Sequence, residues 1–424
     1  MQKLIDQVKN ILSNRFIKNI NITLFENIVS KGFNFLIILF LTRILEPENY
    51  GKYSFVAIAV IACSTIFDFG MDNTIIRFSS KEKKYDKSIF GLYFIAKTIL
   101  AMLFVCIILL FGSYILTSIN KEEIIRFIPI MLIGSVGEYF LLVNDAYFQA
   151  IQRFGLRAFV NISRYLIAFL FVVILYFTHN LILENVLLIY LIPLIVCLIF
   201  CFNYYSFIKS FFYMKIPINI IKEIFEYEKW MLWVSVANTL LIRIDIIMIS
   251  IWVSFSKIGI YNAAFQLCNI VALLPLAMER VMLPKLSELD KADILQFSKK
   301  SIKFISIGAI IILCIIPFLG FLPVLFYGKE YEEAGLILQI LLVSTTISFI
   351  VLPMDQAFFA LGKPKYNTIS KYSQLILIII ICSLTIPTFG YVWASISVLI
   401  GRIIYALICG VFFIREYQKL KNQT

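Results

Sequence analysis

The chain has 424 residues, of which 61% are hydrophobic and 15% charged, with a mean hydropathy of +0.91. Soluble domains are roughly 45 to 50% apolar, so this composition excludes a soluble globular domain and requires a polytopic membrane protein. The formal charge of +12 does not indicate nucleic acid, because the basic residues sit in short clusters between apolar stretches, where orientation across a membrane accounts for them.

The first stretch, 1–19, alternates Leu4, Ile5, Val8, Ile11 and Leu12 with Lys3, Asp6, Lys9 and Asn10 at helical spacing. That is the pattern of a helix lying on the cytoplasmic membrane surface, not of a cleaved leader. In the apolar segment that follows, Asn27, Ser30, Lys31 and Asn34 recur at i, i+3, i+4 and i+7, which places them on one helical face. Hydrocarbon offers such groups no hydrogen-bond partner, so the stripe must face protein or water.

Stretches of about 20 apolar residues, long enough to cross the membrane, lie near 20–45, 52–76, 89–117, 124–149, 157–178 and 181–207. Six more lie near 229–253, 258–283, 302–327, 334–361, 366–387 and 390–414. Twelve spans put both termini on one side. The N-terminal stretch, the even-numbered loops and the 415–424 tail carry 26 Lys and Arg against six on the opposite side, so both termini are expected in the cytoplasm.

The chain also matches itself. Ser235, Asn238 and Thr239 stand where Asn27, Ser30 and Lys31 stand in the first half, 208 residues earlier, and Gly259-Ile260-Tyr261 matches Gly51-Lys52-Tyr53 at the same offset. At offset 210, Asp355, Phe358, Ala360, Leu361 and Lys363 match Asp145, Phe148, Ala150, Ile151 and Arg153. An even number of spans per half gives the two copies the same orientation, related by an axis along the membrane normal. The expected architecture is therefore all-α: a six-helix N-lobe over 20–208, an amphipathic cytoplasmic linker over 209–228, and a six-helix C-lobe over 229–414, with a cleft between lobes. The linker's apolar face is Ile216, Ile220, Ile221, Ile224 and Phe225.

Ionisable residues inside the spans point to function, since a charge at the bilayer centre costs about 2.5 to 3.5 kcal/mol even on lenient scales. Near mid-span lie Lys31, Glu138, Arg243, Asp245 and Arg402, and near the span ends lie Asp68, Asp72, Glu279 and Arg280. For the latter group, snorkelling or structural ion pairs with neighbours such as Arg77 suffice. Arg243 and Asp245, two apart, are expected to point to nearly opposite faces. Glu138 and Asp145, seven apart on one face, read either as a proton ladder or as partners for Arg164 or Lys97. All eight cysteines fall inside apolar runs without a pairing pattern, and the one histidine, His179, sits in a short external loop. No metal-spaced His/Cys set, phosphate loop or nucleophile elbow is present, so no metal, no cofactor and no enzymatic activity is expected.

Three motifs carry a family resemblance: Asp245 with Gly259-Ile260-Tyr261-Asn262-Ala263-Ala264 and Leu283-Pro284 before a basic loop; Tyr327-Gly328-Lys329-Glu330-Tyr331 with Ala334; and Phe148-Gln149-Ala150-Ile151-Gln152-Arg153-Phe154. In these motifs and their order the whole chain resembles the polysaccharide-transporter branch of the multidrug/oligosaccharidyl-lipid/polysaccharide exporter superfamily, with its MATE-like fold, and most resembles the Wzx-type O-antigen flippases. The resemblance implies a bacterial inner-membrane flippase that moves an undecaprenyl-diphosphate-linked oligosaccharide outward by alternating access. It would work alongside a polysaccharide polymerase and a chain-length regulator. Under that reading Lys31, Arg243 and Arg402 would hold the diphosphate, and Asn27, Ser30, Asn34, Ser235, Asn238 and Thr239 would bind sugar. Glu138, Asp145, Asp245 or Asp355 would couple a proton or sodium ion. A multidrug exporter of the same fold, or a membrane-embedded glycan polymerase, is the alternative.

Overall fold

The computed structural model describes residues 14–66, 68–81, 84–199, 208–209, 216–272, 275, 278, 282, 286 and 289–421. The surface helix expected at the N-terminus is therefore largely, and the pair Glu279 and Arg280 wholly, outside the described residues. The α-helices among the described residues are α1 (Asn14–Ile44), α2 (Glu46–Ile66), α3 (Met71–Lys81), α4 (Asp86–Ser118), α5 (Ile128–Ala150), α6 (Phe154–Phe177), α7 (Leu183–Leu187), α8 (Ile192–Ile199), α9 (Ile218–Trp252), α10 (Phe255–Val271), α11 (Lys291–Ile315), α12 (Leu322–Tyr327), α13 (Ala334–Ala360), α14 (Pro364–Phe389) and α15 (Val392–Lys421). Among the described residues nine helices are long and apolar enough to cross a membrane. Their outward residues agree: Leu110 and Tyr114 of α4 are each 74% exposed and Phe304 of α11 is 78% exposed. Apolar area of that extent is stable only in hydrocarbon.

The chain packs as two compact units, one from the chain up to Phe40 with Ala59 to Val236, the other from Leu41–Ile58 with Ala237 to the C-terminus. In the first, Ile75, Phe78, Ile89, Phe90, Tyr93 and Val143 form a core that also takes Ile220 and Ile224 of α9. These two belong to the linker's apolar face, which is thus covered by protein while Phe225 is exposed. Helix α9 runs unbroken from Ile218 to Trp252, through the expected boundary between linker and span. In the second unit, Ile294, Leu295, Val351, Phe358, Tyr405, Cys409 and Phe413 interlock α11, α13 and α15.

Two matching turns make the internal repeat concrete. Between α5 and α6, Arg153 N donates to Phe148 O at 2.8 Å, and between α13 and α14, Lys363 N donates to Phe358 O at 2.8 Å. The turn centres, Gln152 and Gly362, have φ of 56° and 69°. The two sequences at offset 210 thus fold into the same left-handed helix stop.

The second span departs from the continuous helix expected over 52–76. Helix α2 stops at Ile66 and α3 begins at Met71, with Phe69 and Gly70 at φ of 51° and 89°. Asp68 turns its carboxylate back to accept from Gly70 N at 3.2 Å, the local bond by which aspartate competes with a helix. A Cβ on Gly70 would lie 2.8 Å from the Met231 carbonyl oxygen, so only glycine permits both the backbone angle and the approach of α9.

Candidate functional site

In the first unit the polar stripe of α1 is one wall of a buried charged region. Asn27 Nδ2 donates to Thr23 O of its own helix at 2.6 Å, while Lys31 and Asn34 are half-buried. Ser30 is 7% exposed, and its hydroxyl has no hydrogen-bond partner among the described residues. One turn before it, Glu26 is buried and accepts from Asn161 Nδ2 at 2.7 Å. The same amide lies 3.3 Å from Asp145, whose carboxylate receives Arg157 Nε at 2.6 Å. Glu138 receives Arg164 Nη1 at 2.7 Å, and Arg164 Nη2 reaches Tyr165 Oη at 2.9 Å. Of the two readings open for Glu138 and Asp145, the geometry supplies an arginine partner for each. Charge-assisted pairs of this length hold both side chains in fixed geometry.

Lys97 is fully buried. Its ammonium sits 2.6 Å from Asp68 and 2.9 Å from Asp72, 4.4 Å from the Tyr139 ring centroid, and Tyr93 Oη also bonds Asp72. Asp68 and Asp72 do form a structural ion pair, but with Lys97 and not with Arg77. The Arg77 guanidinium instead lies 4.3 Å over Tyr227, because the break between α2 and α3 turns the two aspartates toward α4.

Ser235 falls at the edge of the first unit, against Gly70, where a glycine Cβ would lie 3.1 Å from its own Cβ. Its side chain is half-buried there.

In the second unit Asp245 is buried and accepts from Tyr261 Oη at 2.7 Å. The Arg243 guanidinium lies 4.9 Å over the Phe265 ring. Both side chains therefore reach α10, where Tyr261 and Phe265 share a face. Two residues expected on nearly opposite faces of α9 thus both meet α10, since a long, flexible side chain such as arginine reaches well beyond the direction of its Cα–Cβ bond. Asn238 accepts from Lys371 Nζ at 2.9 Å, and Thr239 and Arg402 are half-buried. Asp355 takes bonds from Tyr405 Oη and from Cys409 Sγ at 3.7 Å, while its backbone carbonyl accepts Asn367 Nδ2 at 3.1 Å. Beside Arg402, a Cβ on Gly401 would lie 2.7 Å from Ile378 and 3.3 Å from Gln374, so α14 and α15 cross closely. Gln374 is 1% exposed, and neither amide atom has a hydrogen-bond partner among the described residues. Among the described residues no group of three His, Cys, Asp or Glu could hold a metal ion.

Residues 16–290 match the family of polysaccharide biosynthesis proteins. The chain belongs to that family. A capsular polysaccharide biosynthesis protein, CapF of Staphylococcus aureus, is 26% identical over 416 residues, covering 94% of this chain and 99% of the relative. A putative O-antigen transporter of Shigella flexneri is 22% identical, covering 90% and 94%. Among solved structures, an inward-facing multidrug-resistance MATE transporter of the MOP superfamily superposes with a TM-score of 0.73 at 14% identity, covering 93% of this chain and 96% of that one. The lipid II flippase MurJ gives a TM-score of 0.70 at 15% identity, covering 95% and 89%. This member of the polysaccharide biosynthesis family is thus a multi-pass membrane protein with the MATE-like fold expected from its sequence.

Against that fold, the sequence candidates are distributed by unit. Lys31, Asn27, Ser30, Asn34, Ser235, Glu138 and Asp145 belong to the first, and Asn238, Thr239, Arg243, Asp245, Asp355 and Arg402 to the second. Sequence reasoning gave no role at the site to Glu26, Lys371 or Gln374. The repeat carried the signal for Lys371, which follows Asp355 by 16 residues as Asn161 follows Asp145.

Proposed function

We propose that this protein is a flippase, which carries an undecaprenyl-diphosphate-linked oligosaccharide, the repeat unit of an O-antigen or capsule, from the cytoplasmic to the outer leaflet of the bacterial inner membrane. It works by alternating access, with both termini in the cytoplasm, and hands its product to a polysaccharide polymerase and chain-length regulator. The observation that carries this reading is full-length similarity to a capsular polysaccharide biosynthesis protein and an O-antigen transporter, in a membrane chain rich in intramembrane polar groups.

The physics of the task supports it. Each sugar hydroxyl moved into hydrocarbon without a partner costs several kcal/mol and a diphosphate far more, so the headgroup needs a polar path while the polyprenyl tail stays in lipid. Lys31, Arg243 and Arg402 are proposed to neutralise the diphosphate. Asn27, Ser30, Asn34, Ser235, Asn238 and Thr239 are proposed to exchange hydrogen bonds with sugar, and the unpartnered hydroxyl of buried Ser30 fits that role.

Moving about two negative charges outward down a potential of order 100 mV releases roughly 4 to 5 kcal/mol, enough to bias the direction. Where a proton or sodium ion is exchanged as well, Asp245 and Asp355 are better placed than Glu138 and Asp145, because the latter two are held by Arg164 and Arg157.

The test is complementation of an O-antigen-producing strain lacking its own flippase, in parallel with a capsule-producing one. Restored surface glycan in either supports the reading. Restoration in neither, at normal membrane expression, together with raised resistance to cationic drugs, would replace it with multidrug export.

A further inference from the structure

The two halves of the chain treat one buried position in opposite ways. At the offset of 210 that aligns the turns at Arg153 and Lys363, Glu138 and Arg164 of the first unit correspond to Ser348 and Gln374 of the second. The first unit closes the position, with Arg164 Nη1 on Glu138 at 2.7 Å and Nη2 on Tyr165 Oη at 2.9 Å. The second unit leaves it open. Ser348 Oγ turns back to the Ser344 carbonyl of its own helix at 3.1 Å, and Gln374, 1% exposed, has no partner for Nε2 or Oε1 among the described residues. Asn367, the counterpart of Arg157, shows a milder form of the same change. Its Nδ2 donates to the Asp355 carbonyl at 3.1 Å, while its Oδ1 has no partner among the described residues.

A buried amide that makes neither of its bonds carries the desolvation cost of both groups, so packing alone gives no reason for glutamine here. One turn on, the same face of α14 carries Ile378, also 1% exposed, which fills its place without that cost. The opposite face of α14, with Ile376, Ile380 and Leu384 exposed, is the lipid side. An open buried polar group calls for a function that fills it. The neighbours indicate which one. Lys371 precedes Gln374 by one turn on the same face, and Arg402 follows Gly401, whose Cβ position lies 3.3 Å from Gln374 Cγ. Both cations are half-buried and so reach the surface of the unit. Glutamine torsions exchange between staggered wells, so the amide can turn out between the two cations without moving either helix.

A carboxamide offers two N–H donors beside a carbonyl acceptor. A phosphate only accepts and would leave that carbonyl unpaired. Neighbouring sugar hydroxyls, each able to give and to take, match both ends.

We propose that Gln374 is a glycan-reading residue: when lipid-linked oligosaccharide binds, its carboxamide exchanges hydrogen bonds with sugar hydroxyls beside Lys371 and Arg402. This rests on the transport reading above, and the experiment separates the two.

Gln374→Met keeps the length of the side chain and removes the amide. The full-length parent and variant are purified in one detergent and compared in two measurements. One is the melting temperature without ligand; the other is the affinity for undecaprenyl-diphosphate-linked oligosaccharide and for undecaprenyl diphosphate without sugar. The variant should melt at or above the parent's temperature, because two unmade bonds are gone. Its affinity for the sugar-bearing lipid should fall about tenfold, the worth of one or two hydrogen bonds, while affinity for the sugarless lipid is unchanged. A lower melting temperature, or failure to fold, would show that the amide is bonded inside the core and overturns the proposal. Loss of both affinities together, loss of neither, or a parent that does not prefer the sugar-bearing lipid overturns it as well. If the parent moves neither lipid between leaflets, the transport reading fails, while the ratio of the two affinities still decides the role of Gln374.

Discussion

The ammonium of Lys97, fully buried, lies 2.6 Å from Asp68 and 2.9 Å from Asp72. One cation thus holds two carboxylates at the break between α2 and α3. Removing one partner of a buried pair leaves an uncompensated charge, at a cost of about 3 to 5 kcal/mol. Lys97→Met is therefore expected to lower thermal stability in detergent sharply. Adding Asp68→Asn and Asp72→Asn should recover most of the loss, since the charges that needed the lysine are then gone.

Glu138 and Arg164, 2.7 Å apart, are predicted to be coupled in stability. Glu138→Gln and Arg164→Gln should each destabilise, and the double variant should be milder than the sum by about 1 to 3 kcal/mol. If Glu138 were instead an independent proton carrier, the two effects would add.

Glu333 receives Lys257 Nζ at 2.5 Å and a bond from Tyr391 Oη. These hydrogen bonds, Lys257 first and then Tyr391, hold its carboxyl below the ordinary glutamate value. A carboxyl depressed in the folded chain stabilises the fold above its unfolded pKa of about 4.3, and that contribution is lost as pH falls through the folded value. Thermal stability should therefore decline below about pH 4.3 by less in Glu333→Gln than in the parent. Because the pair is exposed, the difference should stay within about 1 kcal/mol.

Gly137 lies so close to α8 that a Cβ would sit 2.7 Å from Leu194 N, whereas nothing lies within 4 Å of a Cβ on Gly155. Gly137→Ala is expected to cost about 1 to 3 kcal/mol by overpacking. Gly155→Ala should be neutral or stabilising by up to about 1 kcal/mol, and a thermal shift assay on both checks the contrast.

What was legible in the sequence was what periodicity carries. The apolar stretches gave the membrane class, and the offset of 210 gave two turns that fold alike at Gln152 and Gly362. The break at Phe69 and Gly70 was hidden because apolar residues lie on both sides, up to Ile66 and again at Ile75 and Ile76, so the hydropathy of the stretch runs across it. Only the backbone angle of Gly70 and the approach of Met231 reveal it, and these are tertiary facts. The site was legible in residue type more than in partnership. Asn27, Ser30, Lys31 and Asn34 share a face as their spacing requires, but spacing within one helix could not show that Arg157 would serve Asp145 or that Arg243 would lie over Phe265. Those pairings depend on how helices cross, which a single-helix pattern does not encode.

The most direct test of flipping is made with purified protein in proteoliposomes containing fluorescent undecaprenyl-diphosphate-linked oligosaccharide. Quenching from outside reports how much of the headgroup has changed leaflet. The account predicts protein-dependent flipping that falls at least tenfold in Lys31→Ala, Arg243→Ala and Arg402→Ala variants that fold normally. Headgroups that stay in their original leaflet with the wild-type protein, across both O-antigen and capsule substrates, would contradict it.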